Sequence, residues 1–289
     1  MRIHTPTTRT AAVAVAAGLL LTGCTSGTTA TPAPAAPAPA GFGHVHAIVD
    51  AGDGSVLLGT HTGIYTLDDA GDLSGPVGGT DFDAMGLAAA GDILYASGHP
   101  GPDTPAELGA PHLGVIRSTD AGATWEPVAF TGQEDFHVLT ATGTGAIYGI
   151  GSSSITVRTS IDGGATWVDG ADLTAADLTA TSDGTLYAAT AEGVLESRDA
   201  GVGFVPVPDA PLLYQLEADP TGGLVGVDTD GILWRLTGTG SWEEAGTVTG
   251  TVQALGTAMD GSVVLVDDRG IVWIRDTDVT IVLPMEAMS

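Results

Sequence analysis

Residues 118–125 read STDAGATW, and residues 160–167 repeat the pattern as SIDGGATW. A third copy, SRDAGVGF at residues 197–204, ends in phenylalanine instead of tryptophan. In such a segment the aspartate can accept backbone N–H groups across a tight turn, the glycine permits positive φ, and the aromatic ring fills space between sheets. The pattern therefore predicts a structural turn that recurs along the chain. Its predicted residues are Ser118, Asp120, Gly122, Trp125, Ser160, Asp162, Gly164, Trp167, Ser197, Asp199, Gly201 and Phe204.

The spacing of this turn gives the length of the repeat. Turn positions fall at residues 69, 120, 162, 199, 237 and 276, which are 51, 42, 37, 38 and 39 residues apart. Short runs of Val, Ile, Leu and Ala between them alternate with Gly, Asp and Thr, as is typical of β-strands. A period near 40 residues with four short strands predicts an all-β fold, a six-bladed β-propeller. The predicted blades are residues 44–79, 80–132, 133–171, 172–211, 212–249 and 250–285, and PGPDTPAELGAPH lengthens the second.

The first residues have the pattern of a secretory signal. Arg2 and Arg9 precede the apolar run AAVAVAAGLLL at residues 11–21, which is short for a membrane span and is followed by Leu-Thr-Gly and Cys24. This pattern resembles a bacterial lipobox, which implies cleavage after residue 23 and a lipid on Cys24. Cys24 is the only cysteine of the chain, so no intrachain disulfide is possible.

We therefore expect three parts: a signal peptide over residues 1–23, a tether over residues 24–40 and the propeller over residues 41–285. The tether is rich in Thr, Ala and Pro and cannot bury apolar surface, so it is expected to be extended, at about 3.1 Å per residue where it is polyproline-like. The expected location is the outer face of the cell membrane, with the membrane as partner through the lipid.

The charge of the chain excludes one class of partner. After residue 23 there are six arginines and no lysine against 35 acidic residues, a formal charge of −29. Nucleic-acid binding needs clustered cations, so no nucleic-acid partner is expected, and polyanionic ligands are disfavoured for the same reason.

All histidines lie in the first half of the chain. His44 and His46 open the first strand of blade one, and His137 opens the first strand of blade three. His61 and the pair His99 and His112 lie in the second-to-third strand turns of blades one and two. The equivalent opening positions of later blades hold Asp177, Gln215 and Gln253, so the repeat itself does not require histidine.

The predicted frame brings these six histidines to one face of three consecutive blades. Because neutral imidazole is a ligand of Cu and Zn, we expect a shared transition-metal site and no organic cofactor. The proposed ligands are His44, His46, His61, His99, His112 and His137. Individually each histidine is more simply a packed or solvated side chain, so the prediction depends on their convergence.

The S-x-D-x-G-x-T-W segments resemble the Asp-box (BNR) repeats of sialidases and related propellers. With HVH, GTHTGIY, ASGHPGP and DFH, the chain also resembles bacterial secreted propellers described as exo-sialidase-like glycosyl hydrolases. The resemblance implies box turns opposite the ligand-binding face. For a true sialidase it implies three substrate-gripping arginines, but only Arg269 is expected on the upper face, which disfavours sialidase activity.

Three functions therefore remain open. The first is a cell-surface binding module with the metal site. The second is hydrolysis of another glycan, which needs two carboxyl groups about 5–9.5 Å apart. The third is a scaffold that binds an envelope protein, since the fold does not fix the function. The candidate catalytic carboxyl groups are Asp81, Asp83, Glu134, Asp135 and Asp177.

Overall fold

The computed structural model describes residues 41–238 and 240–288. It forms six four-stranded antiparallel sheets, each built from consecutive strands, so the predicted six-bladed propeller is confirmed. Blades one to three contain β1 (Val45–Asp50), β2 (Ser55–Thr60), β3 (Gly63–Asp68), β4 (Leu73–Ser74), β5 (Asp83–Ala90), β6 (Ile93–His99), β7 (Val115–Ser118), β8 (Glu126–Ala129), β9 (Phe136–Ala141), β10 (Ile147–Gly151), β11 (Thr156–Ser160) and β12 (Val168–Asp172). Blades four to six contain β13 (Ala175–Ala180), β14 (Leu186–Thr190), β15 (Gly193–Ser197), β16 (Val205–Pro206), β17 (Leu213–Ala218), β18 (Leu224–Asp228), β19 (Ile232–Leu236), β20 (Trp242–Thr247), β21 (Ala254–Thr257), β22 (Val263–Asp267), β23 (Gly270–Arg275) and β24 (Asp278–Pro284).

Burial changes from the inner to the outer strand of each blade. The second strands, such as β2 with sequence SVLLGT and β22 with VVLVD, are buried along their whole length. A strand covered on both faces is a continuous apolar run, and neighbouring sheets cover these strands on both sides. The fourth strands are largely exposed, as in β24. The core therefore consists of layers between blades, and the first strands surround a central channel.

Three short 3-10 helices, Val77–Gly79, Ala106–Leu108 and Met285–Ala287, complete the described secondary structure. Within the described ranges, no helix has the length and apolar character needed to cross a membrane. The predicted signal peptide, Cys24 and the tether lie outside the described residues.

The ring closes between blades six and one without a shared sheet. Val45 donates its backbone N–H to Gln253 Oε1 over 3.2 Å. Val45 and Phe42 also belong to one apolar cluster with Trp273 of blade six and with Met288, which is only 2% exposed. Side-chain packing therefore closes the ring.

The box turns join the third and fourth strands. In blade two, Asp120 accepts the backbone N–H of Thr124 over 2.8 Å, and Gly122 has φ of 87°. The Thr124 hydroxyl also donates to Asp120. This hydrogen bond, followed by the backbone one, holds the pKa of Asp120 below its usual range. Asp162 makes the same contacts in blade three. We define the face with these turns as the lower face; the upper face carries the segments before the first strands and the second-to-third strand turns.

Candidate metal centre

Five of the six first strands contain a β-bulge near their upper end. The bulged residues are His46, Met85, His137, Ala176 and Tyr214. A bulge leaves one residue unpaired and re-aims its side chain. The equivalents of His46 and His137 in blades four and five are therefore Ala176 and Tyr214. The sequence frame, which aligned Asp177 and Gln215, was wrong by one residue because a bulge is not visible in a spacing pattern.

The histidines of blade one form a group that we call cluster one: His44, His46, His61 and Asp83. His61 Nδ1 lies 3.1 Å from both carboxylate oxygens of Asp83 and 3.2 Å from His46 Nε2. His46 Nε2 lies 3.4 Å from Asp83 Oδ1. The ring of His44 lies beside that of His46, with 4.8 Å between the centroids. The carboxylate comes from β5, so cluster one joins blades one and two.

The charges of cluster one influence one another. Burial disfavours the ionised form of Asp83, but hydrogen bonds with His46 and His61 outweigh it and hold the pKa of that carboxyl below its usual range. Burial, followed by the repulsion of a positive charge by His46 and His61, lowers the pKa of His44. His44 is therefore neutral at lower pH than an ordinary histidine, and the neutral ring is the form that binds a metal.

The remaining histidines form cluster two: His99, His112, His137 and Asp135. A single carboxylate, whose side chain is only 2% exposed, contacts all three rings. Asp135 Oδ2 lies 2.6 Å from His137 Nε2 and 3.4 Å from His99 Nε2, and Oδ1 lies 3.2 Å from His112 Nδ1. Cluster two joins blades two and three.

Two ring nitrogens of cluster two face the carboxylate of Asp135 without a clear hydrogen bond to it. They are Nε2 of His99 and Nδ1 of His112. His99 Nδ1 lies 3.2 Å from the Pro111 carbonyl oxygen, which can only accept, so a neutral His99 presents the lone pair of Nε2 to Asp135. The buried Nδ1 of His112 lies 3.2 Å from Asp135 Oδ1 but makes no hydrogen bond with it or with any other described residue. A lone pair that faces a carboxylate is balanced by a cation, which is either a second proton on the imidazole or a bound metal ion, and the neutral rings are suited to a metal ion.

A network of hydrogen bonds fixes the carboxylate of cluster two. Ser152 donates its hydroxyl to Asp135 Oδ1. The adjacent Glu134 accepts from the backbone N–H of Ser153 over 3.1 Å and from Arg158 Nη1 over 3.3 Å. Burial opposes the ionisation of Asp135 and Glu134, but these hydrogen bonds outweigh it and hold both pKa values below their usual range. Cluster one has no comparable support among the described side chains.

The donor set is the same in the two clusters. The donor atoms of His46, His61 and Asp83 lie within 4.8 Å of one another, and so do those of His99, His112 and Asp135. Two imidazoles and one carboxylate form the three-ligand set of catalytic zinc sites, which leaves one coordination position for water or another ligand. The six predicted histidines thus fall into two groups of three, where one shared site was expected. His44 and His137 lie outside the two donor triads and beside them.

Two of the predicted catalytic carboxylates have structural contacts. Asp81 accepts from the backbone N–H of Asp103 over 3.1 Å and from the Thr104 hydroxyl over 3.1 Å, and so anchors the insertion of blade two. Glu134 pairs with Arg158. Asp83 and Asp135 belong to the clusters.

The fifth candidate, Asp177, lies in the wall of the central channel. The channel is a cavity of about 960 Å³ that is lined by His46, His137, Asp177 and Glu217, among others. Asp177 accepts the backbone N–H groups of Leu178 and Leu216, each over 2.8 Å. Burial among protein atoms raises the pKa of Asp177 to about 7, although water in the channel reaches part of its surface.

Glu217 was not singled out by the sequence. Burial, and then the charge of Asp177, raise the pKa of Glu217 to about 8. Its position two residues after Gln215 on the same innermost strand places both side chains on one side of the strand, and this periodicity was the available signal.

Every arginine among residues 41–238 and 240–288 is paired with a carboxylate. Arg269, the one expected on the upper face, binds Asp267 with Nη2 to Oδ2 at 2.6 Å. The other five pairs are Arg117–Glu126, Arg158–Glu134, Arg198–Glu196, Arg235–Asp219 and Arg275–Asp69. The described part of the chain therefore contains no group of free guanidinium ions that could grip a carboxylated sugar.

Comparison with known proteins shows the fold. No protein-family model matches the chain, and no curated protein matches it significantly. Among solved structures, an ancestral GH74 enzyme is similar, with 13% sequence identity and a TM-score of 0.53. The alignment covers 84% of this chain and 38% of the enzyme's chain. The present chain thus spans well under half of that enzyme. The GH74 enzyme of Niastella koreensis has 17% sequence identity and a TM-score of 0.58. The alignment covers 78% of this chain and 41% of that enzyme's chain.

Proteins of other kinds share the fold at similar levels. Streptogramin B lyase has 18% identity and a TM-score of 0.54, with 83% of this chain and 82% of its own covered. A chain of the nidogen/laminin complex has 12% sequence identity and a TM-score of 0.59. The alignment covers 81% of the present chain and 94% of the chain in that complex. Enzymes and a protein complex therefore resemble this chain to a similar degree. What the comparisons establish for this chain is the propeller fold.

Proposed function

We propose that this protein is a transition-metal-binding propeller that holds Cu or Zn in clusters one and two. The observation that carries the proposal is the arrangement around Asp135. A buried carboxylate is approached by His99 Nε2, whose other nitrogen is fixed by a backbone carbonyl, and by the buried His112 Nδ1, which lies 3.2 Å from Asp135 Oδ1 without forming a hydrogen bond. Metal-ligating histidines commonly donate their second N–H to a backbone carbonyl in this way.

The ligand set supports the choice of metal. Imidazole suits Zn and Cu, whereas sites made only of oxygen suit Mg and Ca. A triad of two histidines and one carboxylate with a third histidine nearby offers three or four protein ligands, which are the usual numbers for zinc. We therefore favour a role in metal storage, delivery or scavenging.

The setting of this site is also a proposal. A lipid on Cys24 and the tether over residues 24–40 would hold the propeller at the outer face of the cell membrane, where an envelope protein is a plausible recipient of the metal. The hydrogen bonds of the box turns support assigning them to the Asp-box (BNR) repeats of the sialidase superfamily.

Metal titration of the untagged protein tests the proposal. Protein stripped with a chelator should take up about two equivalents of Zn²⁺ in isothermal titration calorimetry. The double variant His46→Ala/His112→Ala should lose strong binding at both clusters. A matched control, Gln215→Ala, changes the channel wall without touching either cluster and should bind like the natural protein. Strong stoichiometric binding that survives in the double variant would contradict the proposal.

Glycan hydrolysis is a second candidate, and one observation favours it. Asp177 and Glu217 lie in the channel with pKa values raised to about 7 and about 8, and a carboxyl group that keeps its proton near neutral pH can serve as a general acid. Turnover of a fluorogenic glycoside that Glu217→Gln abolishes would favour this candidate. Sialosides should not be turned over, because the described arginines are all paired.

A further inference from the structure

One of the two donor triads reaches the central channel. His46, a donor of cluster one, lines this channel, and so does His137, which lies beside the donor triad of cluster two. Asp83 of cluster one and His99 of cluster two are direct partners on β5 and β6, so the clusters are neighbours. The channel volume of about 960 Å³ is at the upper end of the range of roughly 300–1,000 Å³ found for small-molecule sites. A small molecule in the channel therefore has access to a metal ion that His46 binds in cluster one.

The opposite part of the channel wall is acidic. In a ring of six, blades four and five stand across from blades one and two, and they contribute Asp177, Gln215 and Glu217 to the lining. No arginine is among the described residues that line the channel, and the chain has no lysine. Carboxyl groups of blades one and two, among them Asp50 and Asp92, also line the cavity, so its wall is acidic on both sides and carries a metal donor on one.

Glu217 is hydrogen-bonded less extensively than Asp177. Asp177 accepts the backbone N–H groups of Leu178 and Leu216, whereas Glu217 has a backbone hydrogen bond with Ala218, and no described side chain donates to either carboxyl group. The raised pKa of Glu217 has burial and the charge of Asp177 as its causes, with no cation acting against them. A positively charged group placed beside Glu217 would relieve both effects.

We propose, building on the metal-binding function, that the channel binds a small organic amine. A neutral donor at one end of this ligand coordinates a metal ion in cluster one at the position that the protein leaves open. The ammonium group at its other end lies against Glu217. An anion at that end is excluded because it would meet Asp177 and Glu217 without a compensating arginine or lysine.

A series of imidazole probes tests this inference on the zinc-loaded protein. The series is 1-(ω-aminoalkyl)imidazoles, with linkers that lengthen from propyl to octyl. Each is compared with the 1-alkylimidazole and the ω-(imidazol-1-yl)alkanoic acid of the same length. All three supply the same metal donor and differ only in the charge of the far end. The zinc content of the protein is measured after each titration, so that removal of the metal by a probe is detected.

We expect one linker length at which the amine binds about tenfold more tightly than the neutral probe, and the acid to bind more weakly than both. In Glu217→Gln the advantage of the amine should disappear while the neutral probe binds unchanged. Equal affinities of amine and neutral probe at every length, or an advantage that persists in Glu217→Gln, would overturn the inference while leaving metal binding intact. Failure of the protein to bind zinc at all would overturn the proposed function and this inference together.

Discussion

Clusters one and two use the same ligands in different surroundings. Each contains three histidines and one aspartate across a boundary between blades. The carboxylate of Asp135 is 2% exposed and receives a hydrogen bond from Ser152, whereas that of Asp83 is 24% exposed and has only histidines as side-chain partners. His61 of cluster one is 49% exposed. Ligands that are held in place before the metal binds lose less conformational entropy on binding. Because the two clusters have the same ligand types, a difference in their metal affinities reports on burial and on the hydrogen bonds that support the ligands.

The largest expected effect is the loss of the buried carboxylate. Asp135→Asn removes a charge that faces three histidines, and we expect zinc affinity at cluster two to fall by at least about 100-fold. Asp83→Asn should weaken cluster one by a smaller factor, because solvent already competes for that carboxylate. Calorimetric titration of both variants measures the two losses. A larger loss for Asp83→Asn would reverse the comparison.

Metal removal tests how much metal binding at each cluster contributes to the stability of the folded protein. Free metal at about 100 times its dissociation constant stabilises a folded protein by about 2.7 kcal/mol per site, which corresponds to roughly 5–10 °C in Tm for a domain of this size. We expect a chelator to reverse this rise. In Asp135→Asn most of the rise should be lost, and in Asp83→Asn most of it should remain. Differential scanning calorimetry with and without zinc measures these shifts.

A smaller change separates support from ligation. Ser152→Ala leaves every ligand of cluster two in place and removes the hydrogen bond to Asp135 Oδ1. We expect affinity at cluster two to fall about tenfold, at the low end of the range for such supporting contacts, and cluster one to be unaffected. Ser153→Ala, at the neighbouring hydroxyl that contacts Glu134, is the matched control and should have a weaker effect. If both serines proved equivalent, support of Asp135 would not explain the difference between clusters.

The smallest effect concerns the part of the channel wall formed by blades four and five, which contains no histidine and serves as a reference region. The folded pKa values of Asp177 and Glu217, about 7 and about 8, lie above the ordinary values of 3.8 and 4.5, so the folded state holds more protons between them. Stability should therefore fall as pH rises from about 5 to about 8. Glu217→Gln should flatten this dependence, raising Tm at pH 9 by on the order of 2 °C and leaving it unchanged at pH 5. A parallel curve for both proteins would show that Glu217 does not ionise in this range.

The fold was predictable because its signals are local and repeated. The box turn needs an aspartate, a glycine and an aromatic ring at fixed offsets, and the structure has the predicted hydrogen bonds in blades two and three. The gathering of histidines on the upper face followed from the same frame. Its division into two clusters did not, because it depends on bulges at His46 and His137 and on the partnering of Asp83 with His99, which carry no sequence signature.

The supporting groups were still harder to predict. Ser152 lies in a turn rich in serine, and nothing in the sequence distinguishes the serine that reaches Asp135 from its neighbours. Glu217 was invisible for a different reason. An acidic residue in a strand is usually assigned to the solvated side, and only ring closure shows that this side faces an enclosed channel.

The packing seam between blades six and one also bears on how this chain can be rearranged. Because no sheet borrows a strand from the opposite end of the chain, and Phe42 and Met288 share one apolar cluster, the two ends of the ring are adjacent. A circular permutant that links them and opens the chain between blades three and four would keep all six sheets whole. It would also leave both histidine clusters on one uninterrupted segment, at the C-terminal end of the permuted chain.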